Sequence, residues 1–255
     1  MLDIYQEIVK LTAEGEEAAL VTIVSTSGST PREEGAKMLV KADGSILGTI
    51  GGGSLEIQVC QKAIEVIRKG KPERLHFRLK EGEEPGMICG GDLEVFIEPI
   101  LSSPSLYIFG GGHISLSLAK IGKLLGFKIT VIDDRAEFAN PQRFPEAELT
   151  LAEDFNRVFP KLKIDKSSYI VIVTRGHEHD ELVLEWALGT RAKYIGMIGS
   201  RSKNKAIFSH LLAKGIPQEL LDKVHAPIGL EINAQTPEEI ALSIMAEIVK
   251  VRRSA

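Results

Sequence analysis

Apolar positions recur along this chain first at helical and alternating spacings and then, past residue 105, as short continuous runs separated by helical patterns. Residues 3 to about 17 set Ile4, Ile8, Val9 and Leu11 on one face against Asp3, Glu7, Lys10 and Glu14 on the other, which predicts a short surface helix. Residues 18–28 (AALVTIVSTSG) are rich in β-branched side chains and predict a buried strand, followed by a polar loop from Ser29 to Gly35. KMLVKADGSILGTIGG predicts two strands joined at Asp43-Gly44, a hairpin that needs φ > 0 at the glycine. Leu55, Val59, Ala63 and Ile67 then keep helical register until Gly70, with Ser54 placed to cap that helix. Residues 73–80 and 93–100 read as strands by alternation.

The second half carries a different pattern. Leu106 to Asp134 gives an apolar strand, the turn Gly110-Gly111-Gly112-His113-Ile114-Ser115, an amphipathic helix, a second apolar strand and two carboxylates. LTLA, YIVIVT (169–174) and YIGMIG (194–199) follow as further strands, with a helix after Ser200-Arg201-Ser202-Lys203. Thr174 to Asp180 reads as a loop at a strand's carboxyl end, and the irregular loop from Ala136 to Glu148 as a segment folded over the site. His225 to Leu230 either closes the ligand site or turns the chain. Thr236-Pro237-Glu238-Glu239 is a capping box that opens the last helix. Leu101-Ser102-Ser103-Pro104-Ser105 is the linker candidate. The expected fold class is therefore α/β: a C-terminal Rossmann-like parallel sheet domain, residues 105–255, preceded by a smaller α+β domain, residues 1–102.

Charge and composition narrow the partners. A formal net charge of −4 supplies no basic face, so nucleic acid is not expected to bind. Cys60 and Cys89, at unrelated spacing, make neither a disulfide framework nor a zinc site. The first ten residues, MLDIYQEIVK, lack the basic-then-apolar order of a leader, and no apolar run reaches the length of a membrane span. A cytoplasmic protein with no membrane contact is expected.

The chemistry concentrates at glycines. Gly110 permits the tight turn, Gly112 lets backbone N–H groups approach a phosphate, and the third small position is Ser115. Asp133, at the end of the second strand, is where a ribose 2′-hydroxyl is read; Asp134 and Arg135 follow it, and Arg135 blurs that preference. A second turn, Gly51-Gly52-Gly53-Ser54-Leu55-Glu56, also feeds a helix. It is either an anion nest, with Arg32 and Lys37 in reach, or a tight strand-to-helix connection. Cys89, beside Gly90 and Gly91, has an accessible sulfur with N–H groups nearby, whereas Cys60 reads as a small buried hydrophobe. Arg175 and His177, and Ser200 and Arg201, stand at strand ends where open parallel sheets place ligands. His177-x-His179-Asp180 is read as solvated loop residues in preference to a metal site, and Ser200 to Lys203 as either an anion contact or ordinary capping.

Taken together, SGSTPREEGAKMLV, DGSILGTIGGGSLE, CGGDLEVFIEP, FGGGHIS with VIDDR, TRGHEHD, YIGMIGSR and HAPIGLEINAQTPEEIALSIMAEI resemble the XdhC/CoxI family of xanthine dehydrogenase accessory factors. The resemblance implies a factor that binds the molybdenum cofactor (molybdopterin), protects it while a cysteine desulfurase supplies its terminal sulfur, and delivers it to an apo molybdenum hydroxylase. It implies cofactor contacts for Cys89, including one to molybdenum itself, for the Gly51 to Glu56 turn, and for the Gly110 to Ser115 turn with His113 and Asp133. Ser54 stands where many relatives have cysteine, and Asn233-Ala234 where they commonly read Gly-Ala. A homodimer is a further expectation. The competing reading is an NAD-dependent oxidoreductase with His113 or His177 as acid–base, and a third is a nucleotide-sensing module; NAD or another nucleotide is then the ligand. No Tyr-x-x-x-Lys pair accompanies the fingerprint, so an accessory role without catalytic residues is favoured.

Overall fold

The β-branched run at the start of the first sheet becomes its central strand. The structure, a computed structural model, describes residues 2–78, 91–101 and 103–254. The chain divides into two compact units, Met1–Ser102 and Ser103–Ala255.

In the first unit, α1 (Leu2–Glu14) leads into β1 (Ala18–Ser27), which pairs antiparallel with β2 (Lys37–Lys41) and with β5 (Asp92–Ile100). β3 (Ile46–Gly48) and β4 (Glu73–Arg78) complete the order β3-β2-β1-β5-β4. Alternation along β1 puts Ala19, Val21 and Ile23 against α2 (Gly53–Lys69), while Ala18 and Leu20 meet Ile4 and Leu11 of α1. α2 buries Leu55, Val59, Ala63, Val66 and Ile67 and ends on the left-handed Gly70, φ 64°. The hairpin expected at Asp43-Gly44 joins β2 to β3, held by Ser45 N–H and hydroxyl on the Asp43 carboxylate at 2.9 and 2.7 Å.

The second unit is a five-stranded parallel sheet. β6 (Ser105–Phe109) lies at its centre, with β7 (Lys128–Asp133) and β8 (Leu149–Ala152) on one side and β9 (Ser168–Ile172) and β10 (Tyr194–Met197) on the other. Both faces of β6 are covered, which is why it reads as an unbroken apolar run. Leu106 and Ile108 pack under α3 (His113–Leu124) and α8 (Pro237–Arg253). Tyr107 and Phe109 pack on the opposite face, with α4 (Phe155–Val158), α5 (His177–Leu188), α6 (Arg201–Ala213) and α7 (Gln218–Leu221). Phe109 meets Trp186 and Phe155 edge-on, and Phe159 stacks on Trp186 at 4.4 Å. Because the chain moves outward through β7 and β8 and then restarts at β9, the connection reverses between β6 and β9. That reversal is the switch point at which open α/β sheets bind ligands.

Two sequence expectations change, and one segment left between two readings gains a partner. Thr174 to Asp180 is not all loop: α5 begins at His177, with Glu178 and Asp180 in its first turn, where acidic side chains complement the helix dipole. Ser54 is not the α2 cap, since the helix starts at Gly53 and Gly52 holds the cap position. His225 to Ile228 runs parallel beside β10, through His225 N–H to Ile195 O at 2.9 Å and Ile228 N–H to Met197 O at 3.1 Å. The Thr236–Glu239 capping box forms as expected. Asn233 has φ 58°, the left-handed region that glycine and asparagine tolerate best.

Candidate functional site

The turn after β6 is built from three glycines with three different jobs. A side chain on Gly110, φ 107°, would run into the Val173 carbonyl, so the residue that follows β9 requires this glycine. A side chain on Gly111 would meet the Phe138 carbonyl. Gly112 is different: its φ of −73° suits any residue and nothing lies within 4 Å of where its Cβ would stand. Gly112 is also the N-cap of α3 and supplies no side-chain cap, so the first N–H groups of that helix face this space with the positive end of the dipole. Ser115 is fully buried and its hydroxyl donates to the Gly110 carbonyl at 2.5 Å, which reconciles serine with the third small position.

The acid of the fingerprint is turned inward. Asp133, 2% exposed, accepts from Gly111 N–H at 2.8 Å, Arg135 N–H at 3.1 Å, Arg135 Nε at 2.8 Å and Arg135 Nη2 at 3.0 Å. Burial alone would raise its pKa, but the Arg135 side chain and the Gly111 and Arg135 N–H groups more than offset this and hold the carboxyl below its usual range. Asp134 pairs with Arg175 Nη2 at 2.6 Å. The Arg135 guanidinium lies 3.7 Å over the Phe138 ring. Arg143, which sequence reasoning passed over, donates through Nε to the Gly111 carbonyl at 3.1 Å and lies 5.2 Å from the Phe138 ring centroid. The loop after β7 is thus fastened onto the middle of the turn. Its signal in the sequence was Arg143-Phe144-Pro145 inside the proline-bearing loop just past the acid.

At the end of β9, Gly176 repeats the Gly112 arrangement. It is the N-cap of α5, with φ −158°, no side-chain cap and open space around its Cβ position. His113 and His177 are each the first residue of their helix, and both are exposed. Asp180 is fully buried and accepts from the Thr174 hydroxyl and Lys203 Nζ, both at 2.6 Å. It ties α5 to α6. His179 packs edge-on against Phe155. Ser200 caps α6, accepting from Lys203 N–H at 3.2 Å, and Arg201, exposed, opens the helix.

In the first unit, the sequence-distant motifs come together. Pro31 packs where a side chain on Gly51 would stand, and Gly91 presses against the carbonyls of Ser27 and Ser29. Gly51, Gly52 and Gly53 all have positive φ, at 138°, 82° and 65°. Their turn is filled by the chain itself. Glu56 accepts from the Thr49 hydroxyl at 2.5 Å and Ile50 N–H at 2.9 Å. Burial would raise its pKa, yet hydrogen bonds from Thr49 and from the Gly52, Ile50 and Gly51 N–H groups hold the carboxyl below its usual range. Lys37 donates to the Thr22 hydroxyl at 3.0 Å, and Arg32 is exposed. Cys60 is half-buried against the α2 core, and burial, aided by the Glu56 charge, pushes its thiol up. Cys89 and Gly90 lie outside the described residues. Among the described residues no helix is long and apolar enough to cross a membrane.

A doubly wound parallel sheet with an open glycine turn at its switch point defines a Rossmann-type domain, here preceded by an antiparallel α+β unit. Comparison with known proteins makes this specific. The XdhC Rossmann domain model matches residues 106–248, and that of the XdhC and CoxI family matches residues 11–78. The chain belongs to the XdhC/CoxI family. It is 36% identical to the Escherichia coli K12 protein YqeB, an alignment covering 100% of this chain and 47% of that protein. The chain therefore spans about half the length of that relative. It is 24% identical to a Bacillus subtilis protein named as a probable component of xanthine dehydrogenase, over 95% of this chain and 96% of that one. It is also 24% identical to the E. coli molybdenum cofactor insertion chaperone PaoD, over 93% of this chain and 84% of that one. A crystal structure of a Bacillus halodurans protein described as a xanthine dehydrogenase shares the fold, at TM-score 0.55 and 23% identity over 98% of this chain and 95% of that one.

Proposed function

We propose that this protein is a maturation factor that binds the molybdenum cofactor and hands it to an apo molybdenum hydroxylase of the xanthine dehydrogenase type. Family membership and the names of two relatives, a cofactor insertion chaperone and a probable xanthine dehydrogenase component, support the role. The observation that carries it to a place is Gly112. Neither its backbone angle nor any neighbour requires glycine there, so the missing side chain is best explained by a ligand that approaches the N–H groups of α3. A phosphate such as that of a pterin cofactor is the kind of anion those N–H groups would take. Gly112 and the N–H groups that open α3 at His113 would hold a phosphate, with the positive charge of Arg135 nearby, whereas the Gly110 N–H is given to Ile132 O at 2.7 Å and that of Gly111 to Asp133; Arg175 and His177 border the same switch point.

Cys89, in the CGG segment, is proposed as a contact of molybdenum, because a thiolate suits a soft metal or its sulfur ligand. When bound, the cofactor supplies the redox metal of the hydroxylase that receives it. The chain's part is to hold and protect the cofactor while a cysteine desulfurase provides the sulfur. The NAD-dependent oxidoreductase reading is weakened by Asp133, whose two oxygens are engaged inside the protein.

Equilibrium dialysis against molybdopterin, read by mass and absorbance, tests the role. The parent is expected to retain the cofactor near one per chain, and Cys89→Ser to weaken retention by about tenfold, the scale of losing one metal-side contact. No retention by the parent would overturn the proposal. Unchanged retention by the serine variant would remove Cys89 from it.

A further inference from the structure

Gly111 is held through both of its backbone groups: Asp133 takes its N–H at 2.8 Å and Arg143 Nε donates to its carbonyl at 3.1 Å. Asp133 is thereby used up, because its remaining acceptor capacity goes to three donors of Arg135. In a Rossmann site that selects NAD, the acid at this position offers its oxygens to the ribose hydroxyls and repels a 2′-phosphate. Here the acid is 2% exposed and neutralised by Arg135, which itself stacks on Phe138. The second carboxylate, Asp134, is paired with Arg175. Arg143 brings a further positive charge to the turn, and no ion pair to a carboxylate is formed by it among the described residues.

We infer that Asp133 and Arg143 are positioning residues that fix the backbone on both sides of Gly111, so that the turn recognises a phosphate ester without reading a ribose diol. The ligand class is then phosphate or pyrophosphate esters at large, whether or not a free 2′-hydroxyl is present. The inference rests on the reading of this turn as the ligand site. It adds that the fingerprint acid has changed its job from recognition to holding the loop.

Titration calorimetry of the full chain with ADP-ribose and with its 2′-phosphorylated form separates the two jobs. Both probes carry the pyrophosphate and differ only where a ribose-reading acid would act. Dissociation constants within about threefold of each other are expected, since no acid oxygen is available to discriminate. A preference of about tenfold or more for the free 2′-hydroxyl, the scale of a charged hydrogen bond, would overturn the inference. Binding of neither probe would also overturn it, while molybdopterin retention decides the proposed function separately. Arg143→Gln is expected to weaken both probes alike, by about tenfold, and to move the Gly111 amide resonance in the ligand-free protein. Loss of one probe only, or an unmoved Gly111 resonance, would contradict a positioning role.

Discussion

The two glycine turns of this protein are nearly the same in sequence, Gly51-Gly52-Gly53-Ser54 and Gly110-Gly111-Gly112-His113, and each opens a helix with a glycine cap. They differ in what their N–H groups meet. In the first unit, Glu56 folds back over the turn and takes donors from Thr49 and Ile50, so the turn carries its own anion. In the second unit, Asp133 takes one N–H, that of Gly111, and the start of α3 is left to the space beside Gly112. Three glycines before a helix are therefore not an anion site by themselves. What decides is how many of the turn's donors a carboxylate of the chain takes: Glu56 takes those that lead into its turn, whereas Asp133 takes the Gly111 N–H and leaves the start of α3.

The contrast is broken most directly at Gly112, which faces open space at the start of α3. Gly112→Val is expected to lower affinity for a phosphate ester about 100-fold or more by filling the approach to the α3 N–H groups. It should cost at most about 1 kcal/mol of stability, because φ is already ordinary there. Dialysis and thermal unfolding of the same sample check both halves. Replacing Glu56 should do the opposite. Glu56→Ala leaves turn donors without their acceptor and is expected to destabilise the first unit by about 1–3 kcal/mol, with binding at the second turn unchanged. Because Glu56 is held below its usual range when folded, its contribution is present above the ordinary carboxylate pKa and fades as pH falls through the folded value. Acid unfolding of the first unit should accordingly be shallower in the alanine variant, as denaturant melts at pH 7 and pH 4 would record. The smallest effect belongs to Gly52→Ala, where there is room for the methyl but φ is 82°. A loss of about 1 kcal/mol without change in ligand affinity is expected.

Much of the architecture was legible in the residues. The apolar run of β6, the turn after it, Asp43-Gly44 and the Thr236–Glu239 box each depend on local preferences that a few neighbours decide. The wiring of the sites was not. Whether Glu56 points into its own turn, or Asp133 toward Gly111, depends on side-chain direction that no periodicity encodes. α5 was hidden by its first turn, because Arg175-Gly176-His177-Glu178-His179 has the polarity of a loop and only the buried Asp180 marks the helix. Arg143 was passed over because a loop arginine is ordinary until its Nε is seen on the Gly111 carbonyl.

If the turn before α3 is open to an anion and the turn before α2 is already filled, an added anion must choose between them. Following backbone amide resonances of the full chain while inorganic pyrophosphate is added tests this residue by residue. The His113 and Ile114 amides should move in a saturable way, while Ile50, held by Glu56, and Gly51, held by the Thr49 hydroxyl, stay in place with Gly52. Saturable movement at Ile50 to Gly52 with His113 and Ile114 unmoved would contradict it.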